Sequence, residues 1–564
     1  MRMRITRLLT ILAAGVLAQN AALAAEIRIL TAAKIHTMDP ARPVVQAMAW
    51  DEAGRLLALG DADTVLAHYP QAERVDAGDA TVIPGLIDAH GHVMGLGQAL
   101  MRADLTGTRD KAEILERLRA FERDLPEGAW LLGRGWDQND WPEQAFPSAA
   151  DLDAAFPTRP VWLERVDGHA GWANTAAMRA AEQRRGGRSF SGDWQPEGGR
   201  IVRTDGRAGG VFVDNAMQAV DAVVPPADHA LRERMLHRAL QAAAQNGLTG
   251  VHDMGASRAD LALYREFADR GELTLRIEAY ADGDSGALAD LCKHGVYRHP
   301  SGRLRMQGVK LYIDGALGSR GAALLRDYDD DHGNRGLLMT EPQAFTRLLR
   351  KVRGCGVQAA THAIGDRGNR VVLDGYRQVL GDDAASDHRW RIEHAQVVAL
   401  DDIPRFAALR VIASMQPTHA TSDMPWAQDR VGGDRIAGAY AWRRFLDSGA
   451  RLALGSDFPV ESVDPRLGLY AAVTRQDREG HPPGGWLPDQ KLSIEEALRG
   501  FTADAAYAGR AETEVGKLAP GLRADFVVLE QDPMTAPADT IDDLRIRSTW
   551  VDGKPVYRVE SPAK

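Results

Sequence analysis

Cysteine is nearly missing from these 564 residues: only Cys292 and Cys355 occur, far apart and in no CxxC or other zinc-type spacing. That excludes a cysteine-built metal site and a disulfide-dense scaffold. The two read as buried free thiols, with a single disulfide as the alternative. Lysine is scarce as well, nine residues against fifty-nine arginines. No Lys/Arg run is present and the formal net charge is -10, so nothing favours nucleic acid or an anionic membrane as partner. Aromatic residues make up only 6%. No internal repeat or low-complexity tract interrupts the chain, and past the N-terminus no apolar run is long enough to cross a bilayer. What is there, 45% hydrophobic and 26% charged residues, is the composition of a large enzyme with roughly two to four domains.

The N-terminus differs from the rest. Arg2, Arg4 and Arg7 precede an apolar stretch over residues 8–18, and Ala22-Leu23-Ala24 follows as an A-x-A cleavage site. This order describes a secretory signal peptide over residues 1–24. The mature protein is expected to start near Ala25 and to be periplasmic or secreted.

The most informative stretch is residues 82–92, V-I-P-G-L-I-D-A-H-G-H. An apolar, β-branched run leads into His90 and His92, and on a strand the i,i+2 spacing puts both imidazoles on one face. Two neutral imidazoles at a strand end can grip one metal ion. From there, short apolar runs alternate with amphipathic stretches. Strands are expected at residues 80–90, 248–254, 274–281, 306–313, 356–362, 390–394, 410–415 and 451–457. Helical patterns fall at 230–245, 259–270, 342–353 and 367–380. Eight strands separated by helices point to an α/β fold, a (β/α)8 TIM barrel, whose chemistry sits at the C-terminal strand ends. His90, His92, Lys310, His362, His394 and Asp457 all fall at such ends.

Residues 102–230 break the rhythm as a large insertion after the first strand, holding Trp130, Trp136, Trp141, Trp162, Trp172 and Trp194, half of the twelve tryptophans. A loop there rises from the catalytic face, so the insertion is expected to narrow the entrance. The chain ends, residues 26–80 and 511–560, each read as short strands bounded by turns. Neither is large enough to bury a good core alone, so together they are expected to form one small composite β-sandwich around the barrel of residues 81–510.

The phrases P-G-L-I-D-A-H-G-H, V-K-L-Y-I-D-G-A-L-G-S-R, T-H-A-I-G-D, R-I-E-H-A-Q and G-S-D-F-P-V, and the tail G-K-L-A-P-G-L-R-A-D-F-V-V-L, resemble the amidohydrolase superfamily, in particular the amidohydrolase-3 group that includes N-substituted formamide deformylase-like enzymes. The resemblance implies that His90, His92 and Asp457 bind one metal and His362 and His394 a second. It also implies that Lys310, carboxylated by carbon dioxide, bridges the two. The cofactors are then two divalent ions, zinc first, with iron, manganese or nickel as other occupants. An ammonium has no lone pair for a metal, whereas a carbamate offers two anionic oxygens.

The activity so implied is hydrolysis of non-peptide carbon–nitrogen bonds in amide, N-acyl or N-formyl small molecules by a metal-bridging hydroxide, with Asp457 as the catalytic proton carrier. A mononuclear deaminase, a lactone or phosphoester hydrolase on the same centre, and a non-catalytic periplasmic solute-binding protein are the alternatives. Trp136, Asp167, His169 and Arg320 are the expected substrate-binding residues, favouring an aromatic or hydrophobic substituent. His252 reads as a hydrogen-bonded histidine at the barrel mouth. Glu393, next to His394 on an alternating strand, is expected on the opposite face in a structural role. The expected partners are a small-molecule substrate and, as oligomer, a homodimer.

Overall fold

Eight parallel strands in chain order and one short antiparallel strand, Tyr297–Arg298 beside the fourth, make up the central sheet; the parallel ones are β1 (Leu86–Gly91), β2 (Leu248–Ala256), β3 (Arg276–Asp282), β4 (Leu304–Tyr312), β5 (Gln358–Ala363), β6 (Arg391–His394), β7 (Ile412–Met415) and β8 (Leu452–Leu454). These belong to a computed structural model that describes residues 27–559 apart from positions 124, 167, 169, 197, 198, 205, 284 and 285. The expected signal peptide lies outside the described residues. Hydrogen bonds just beyond the end strands draw β8 to β1. The Asp457 amide donates to the His90 carbonyl at 2.7 Å, and the Ser456 hydroxyl donates to the buried Asp88 carboxylate at 2.6 Å. The fold is therefore the expected parallel barrel, with its helices at His229–Gln245, Arg258–Arg270, Pro342–Gly354 and Asp366–Leu380. Local sequence explains their limits. Ser257 and Asp260 make a capping box at the start of Arg258–Arg270, and Gly271, at φ 72°, ends it in the left-handed conformation.

The first expected strand, 80–90, is two strands. Thr81–Pro84 pairs antiparallel with Phe526–Leu529, while β1 pairs parallel with β2. Gly85 is the hinge: a Cβ there would lie 2.2 Å from the Thr249 hydroxyl oxygen, so only glycine lets one segment leave one sheet and enter the other.

The two chain ends meet in one sheet, as expected. Its eight strands are Arg28–His36, Val44–Trp50, Leu56–Gly60, Glu73–Asp76 and Thr81–Pro84 from the N-terminal side, and Phe526–Leu529, Ile546–Val551 and Lys554–Arg558 from the C-terminal side. Along a flat sheet the strands of Trp50 and Phe526 would lie roughly 14 Å apart, and those of Trp50 and Trp550 roughly 19 Å. Their ring centroids are 5.7 Å and 6.1 Å apart. The sheet therefore curls over its own core, which gives it the two facing layers of a sandwich.

By packing, the chain divides into two units. The first comprises the described parts of Met1–His92, Leu240–Asp457 and Glu461–Lys564; the second is Val93–Ala239 with Phe458–Val460. The second unit has its own six-stranded sheet, ordered Gly199–Thr204, Arg207–Asp214, Ala170–Ala173, Val161–Arg165, Leu131–Trp136 and Ala103–Asp104. It also has two apolar cores. Trp136, Trp141 and Trp172 pack with Leu118 and Leu131 in one, and Trp162, Phe190 and Phe212 with Ala177 in the other.

The cysteines correct the expectation of free thiols: Cys292 and Cys355 form a disulfide with Cα atoms 4.8 Å apart. Cys292 lies on the helix that follows β3 and Cys355 caps the helix that precedes β5, so both flank β4. Closeness in the barrel, which sequence distance hides, permits the bond. Among the described residues no helix is long and apolar enough to cross a membrane.

Candidate metal centre

The C-terminal ends of β1, β4, β5, β6 and β8 bring His90, His92, Lys310, His362, His394 and Asp457 together, all within the first unit. His92 Nε2 meets Asp457 Oδ1 at 2.9 Å, and His90 Nε2 lies 3.4 Å from the same oxygen. The Lys310 amine donates to His90 Nε2 at 3.1 Å. The His394 ring is 4.8 Å from that of His90 and 4.6 Å from that of His362, centroid to centroid. One ligand atom each from His90, His92 and Asp457 falls within 4.8 Å of the others, and the same holds for His394, His419 and Asp457. His362 is adjacent but in neither group; its Nε2 faces the Gly315 carbonyl at 3.5 Å and Asp314 at 3.8 Å.

Two of these residues hold unusual backbone. His394 has φ 72° and Asp457 φ 63°, left-handed values that cost energy for residues with a Cβ. The turn at His394 explains a correction. Strict alternation sends Glu393 away from His394, but the left-handed step breaks alternation at the strand end. Glu393 lies fully buried in the barrel interior, and its Oε2 accepts from His90 Nδ1 at 2.6 Å. That bond directs the other imidazole nitrogen, Nε2, to the centre. Gln416 does the same for His394, its Oε1 accepting from Nδ1 at 2.8 Å.

Glu393 is itself held by Arg391, which is fully buried. The guanidinium donates to both Glu393 oxygens (2.5 and 3.0 Å), to the Ala89 carbonyl (2.5 Å) and to the Ser414 hydroxyl (2.6 Å). It also meets His252 Nδ1 at 2.8 Å. One side chain thus ties β1, β2, β6 and β7 together beneath the imidazoles. His252 is hydrogen-bonded, as expected, but to this buried arginine.

Burial dominates the electrostatics. It pushes His90 and His394 well below the ordinary imidazole range and His362 down to about 3, so these rings are neutral at neutral pH and their lone pairs can serve as ligands. Burial also lowers the Lys310 ammonium to about 8, against the pull of Glu393 and Asp457. For Asp457 burial works against ionisation, yet the hydrogen bond with His92 helps to hold its carboxyl below the usual range. Neutral imidazoles around an ionised carboxylate, with ring orientations fixed from behind, are a donor set that fits a divalent cation such as zinc.

The expected substrate-binding residues fare differently. Trp136 is corrected: it is fully buried in the core of the second unit, 6.0 Å from both Trp141 and Trp172, and its indole N–H donates to the Leu163 carbonyl at 2.8 Å. An aromatic ring enclosed on all sides has no face for a substrate. Arg320 is engaged by Asp330 in its own loop, at 3.1 and 2.8 Å. Asp167 and His169 lie outside the described residues. His419, on the helix Pro417–Asp423 after β7, is a residue that sequence reasoning missed. The strand-end rule that selected the other histidines would have found it, four residues past Met415.

Residues 73–557 match the model of the amidohydrolase family. The chain is similar to YtcJ of Bacillus subtilis, a protein named as an amidohydrolase, with 32% identity over 90% of this chain and 95% of that one. It is also similar to the N-substituted formamide deformylase of Arthrobacter pascens, with 28% identity over 92% of this chain and 96% of the relative. Among solved structures, a metal-dependent hydrolase of uncharacterized function from Pyrococcus horikoshii superposes with a TM-score of 0.75 and 27% identity, covering 91% of this chain and 99% of that one.

Proposed function

Because the chain belongs to the amidohydrolase family, we propose that this metal-dependent hydrolase cleaves carbon–nitrogen bonds other than peptide bonds in small molecules, with N-substituted amides and formamides as the first class to test. The observation that carries the reading is the convergence of His90, His92 and Asp457, with the His90 imidazole neutral and aimed from behind by Glu393. These three would hold one divalent ion, and His362, His394 and a carboxylated Lys310 a second. When bound, such ions supply Lewis-acid polarisation of a carbonyl and an activated water.

The chain's own groups do the rest. Asp457 sets one oxygen, Oδ1, against His92, while its Oδ2 faces His419 Nε2 at 3.7 Å, beyond hydrogen-bond reach. Oδ2 is therefore the atom to accept the proton of the attacking water and return it to the leaving nitrogen. Lys310 is suited to carboxylation because a buried amine near pKa 8 has a sizeable neutral fraction. The neutral amine, formed when the ammonium gives up a proton, attacks the carbon of carbon dioxide through its nitrogen and loses a second proton, so the product is an anion where an ammonium stood. In its unmodified form Lys310 bonds to His90, an arrangement that favours a one-ion centre. Counting ions per chain separates the two states.

The test is a panel of N-formyl, N-acyl and carbamate compounds assayed with the metal-loaded enzyme and a chelated control. Hydrolysis that is lost on chelation and restored by zinc is expected, and inactivity across the panel would refute the substrate class. We further propose that the mature protein works outside the cytoplasm, supported by the basic, apolar and A-x-A order of residues 1–24 and by the Cys292–Cys355 disulfide, a bond that persists in oxidising compartments. Fractionation with mass spectrometry of the N-terminus checks this; a cytoplasmic species retaining Met1 would refute it.

A further inference from the structure

We propose that His419 is a catalytic residue of this centre that contacts substrate, its Nε2–H donating a hydrogen bond to the carbonyl oxygen of the scissile amide. The proposal rests on the amide-hydrolase reading above.

His419 is placed by the same elements that build the centre. The helix Pro417–Asp423 starts two residues after β7, and Gln416, its N-cap, is the residue that accepts from His394. The His419 ring then lies nearly parallel to that of His394, at 20° and 5.9 Å between centroids. Its Nε2 is buried and has no hydrogen-bond partner among the described residues. Asp457 Oδ2, at 3.7 Å, is beyond hydrogen-bond reach. Buried polar atoms are almost always paired, so an unpaired one beside a reactive centre points to a ligand that supplies the partner.

The chemistry of that ligand follows from the neighbours. In the proposed centre His90, His92, His362 and His394 are taken by the ions, which leaves His419 as the one imidazole of the cluster with no ion to bind. The negative Asp457 carboxylate faces Nε2 and favours the tautomer carrying hydrogen there. The atom received is therefore an acceptor, and beside the proton-carrying oxygen of Asp457 the acceptor at the reacting bond is the carbonyl oxygen. A donor so placed strengthens its bond as that oxygen gains charge in the transition state. The rival occupant is a metal ion held by His394, His419 and Asp457, whose ligand atoms are close enough to share one.

The experiment uses full-length metal-loaded protein carrying His419→Ala or His419→Gln, with N-benzylformamide as substrate and formate as the product carboxylate. Ions per chain should equal wild type in both variants. For His419→Ala, kcat/KM should fall about 100-fold, mostly in kcat, and formate should bind about tenfold more weakly by isothermal titration. His419→Gln, which keeps an N–H donor, should recover part of both. Loss of an ion in either variant would overturn the proposal in favour of a metal ligand. A kcat/KM within about twofold of wild type, or unchanged formate affinity, would overturn it as well. Should wild type turn over no amide, the substrate reading fails by itself, and formate binding still decides the role of His419. If His419→Ala does not fold, the same comparisons are made with His419→Gln, which should then show a smaller loss than 100-fold but a loss at constant ion content; no loss overturns the proposal.

Discussion

Two buried clusters in this protein are built from concentrations of one residue type, and only one of them has chemistry left to do. In the second unit, Trp136, Trp141 and Trp172 pack tilted or edge-on with centroids within 6.3 Å of one another, and each of their indole N–H groups is satisfied, by the carbonyls of Leu163, Thr108 and Ser148. At the barrel's strand ends, His90 and His394 are buried and His419 is half-buried, and their back nitrogens or rings are anchored while ligand nitrogens converge around one carboxylate. Rarity and burial are common to both clusters. What separates packing from function is hydrogen-bonding capacity that the fold itself leaves unused.

If that distinction holds, substitutions at the barrel centre should remove function with modest cost to the fold, and those in the tryptophan cluster should do the reverse. The largest effect is expected for Lys310→Ala. Turnover should be abolished and ion content should fall from about two toward one per chain, with partial rescue by added short-chain carboxylic acids. Wild-type activity and full ion loading would end the two-ion reading. The related pH dependence has a definite sign: carbamate forms from the neutral amine, so uptake of labelled carbon dioxide should rise as pH climbs through about 8, the value to which burial lowers Lys310.

Asp457→Asn should come next. The amide keeps the shape but cannot carry the proton, so kcat should drop about 10²–10⁴-fold while most of the metal stays bound. An unchanged rate would remove Asp457 from proton transfer. Glu393→Gln sharpens the comparison further, because it leaves every proposed ligand in place while altering what fixes the His90 ring and removing the counter-charge of the buried Arg391. Metal affinity of the folded protein, read by competition with a chelator, should weaken about 10–100-fold, and the melting temperature should fall because Arg391 is left buried without its ion-pair partner.

The smallest effect on activity belongs to Trp136→Ala. Losing a fully buried indole should cost the fold about 3–5 kcal/mol, measured by denaturant unfolding, yet ion content and kcat/KM per folded molecule should not change. A selective rise in KM for bulky aromatic amides would restore the substrate-facing role that the structure takes from this residue.

Much of the centre was legible beforehand because barrel strands are local in sequence and their C-terminal ends are marked by polar residues after apolar runs. Residues 82–92 mark His90 and His92 by spacing alone, and the eight strand runs put Lys310, His362, His394 and Asp457 at one end of a barrel. The misreadings share a different cause. Glu393 was sent to the wrong face because alternation assumes an extended backbone, and His394 turns left-handed at φ 72°. Trp136 was drawn to a pocket because composition cannot say which of six tryptophans face one another.

The sequence by itself thus determined the order of strands, the join of the two chain ends into one sheet, and the kind of donor atom available to a metal. Only the tertiary structure decided that Glu393 would stand behind His90, that Cys292 and Cys355 would meet across β4, and that His419 would bring to Asp457 a nitrogen unpaired among the described residues. The physical reason is one of range. Strand patterning is imposed by neighbours two residues apart, whereas these contacts join residues from different strands and helices, and exist only once barrel closure has removed water from between them.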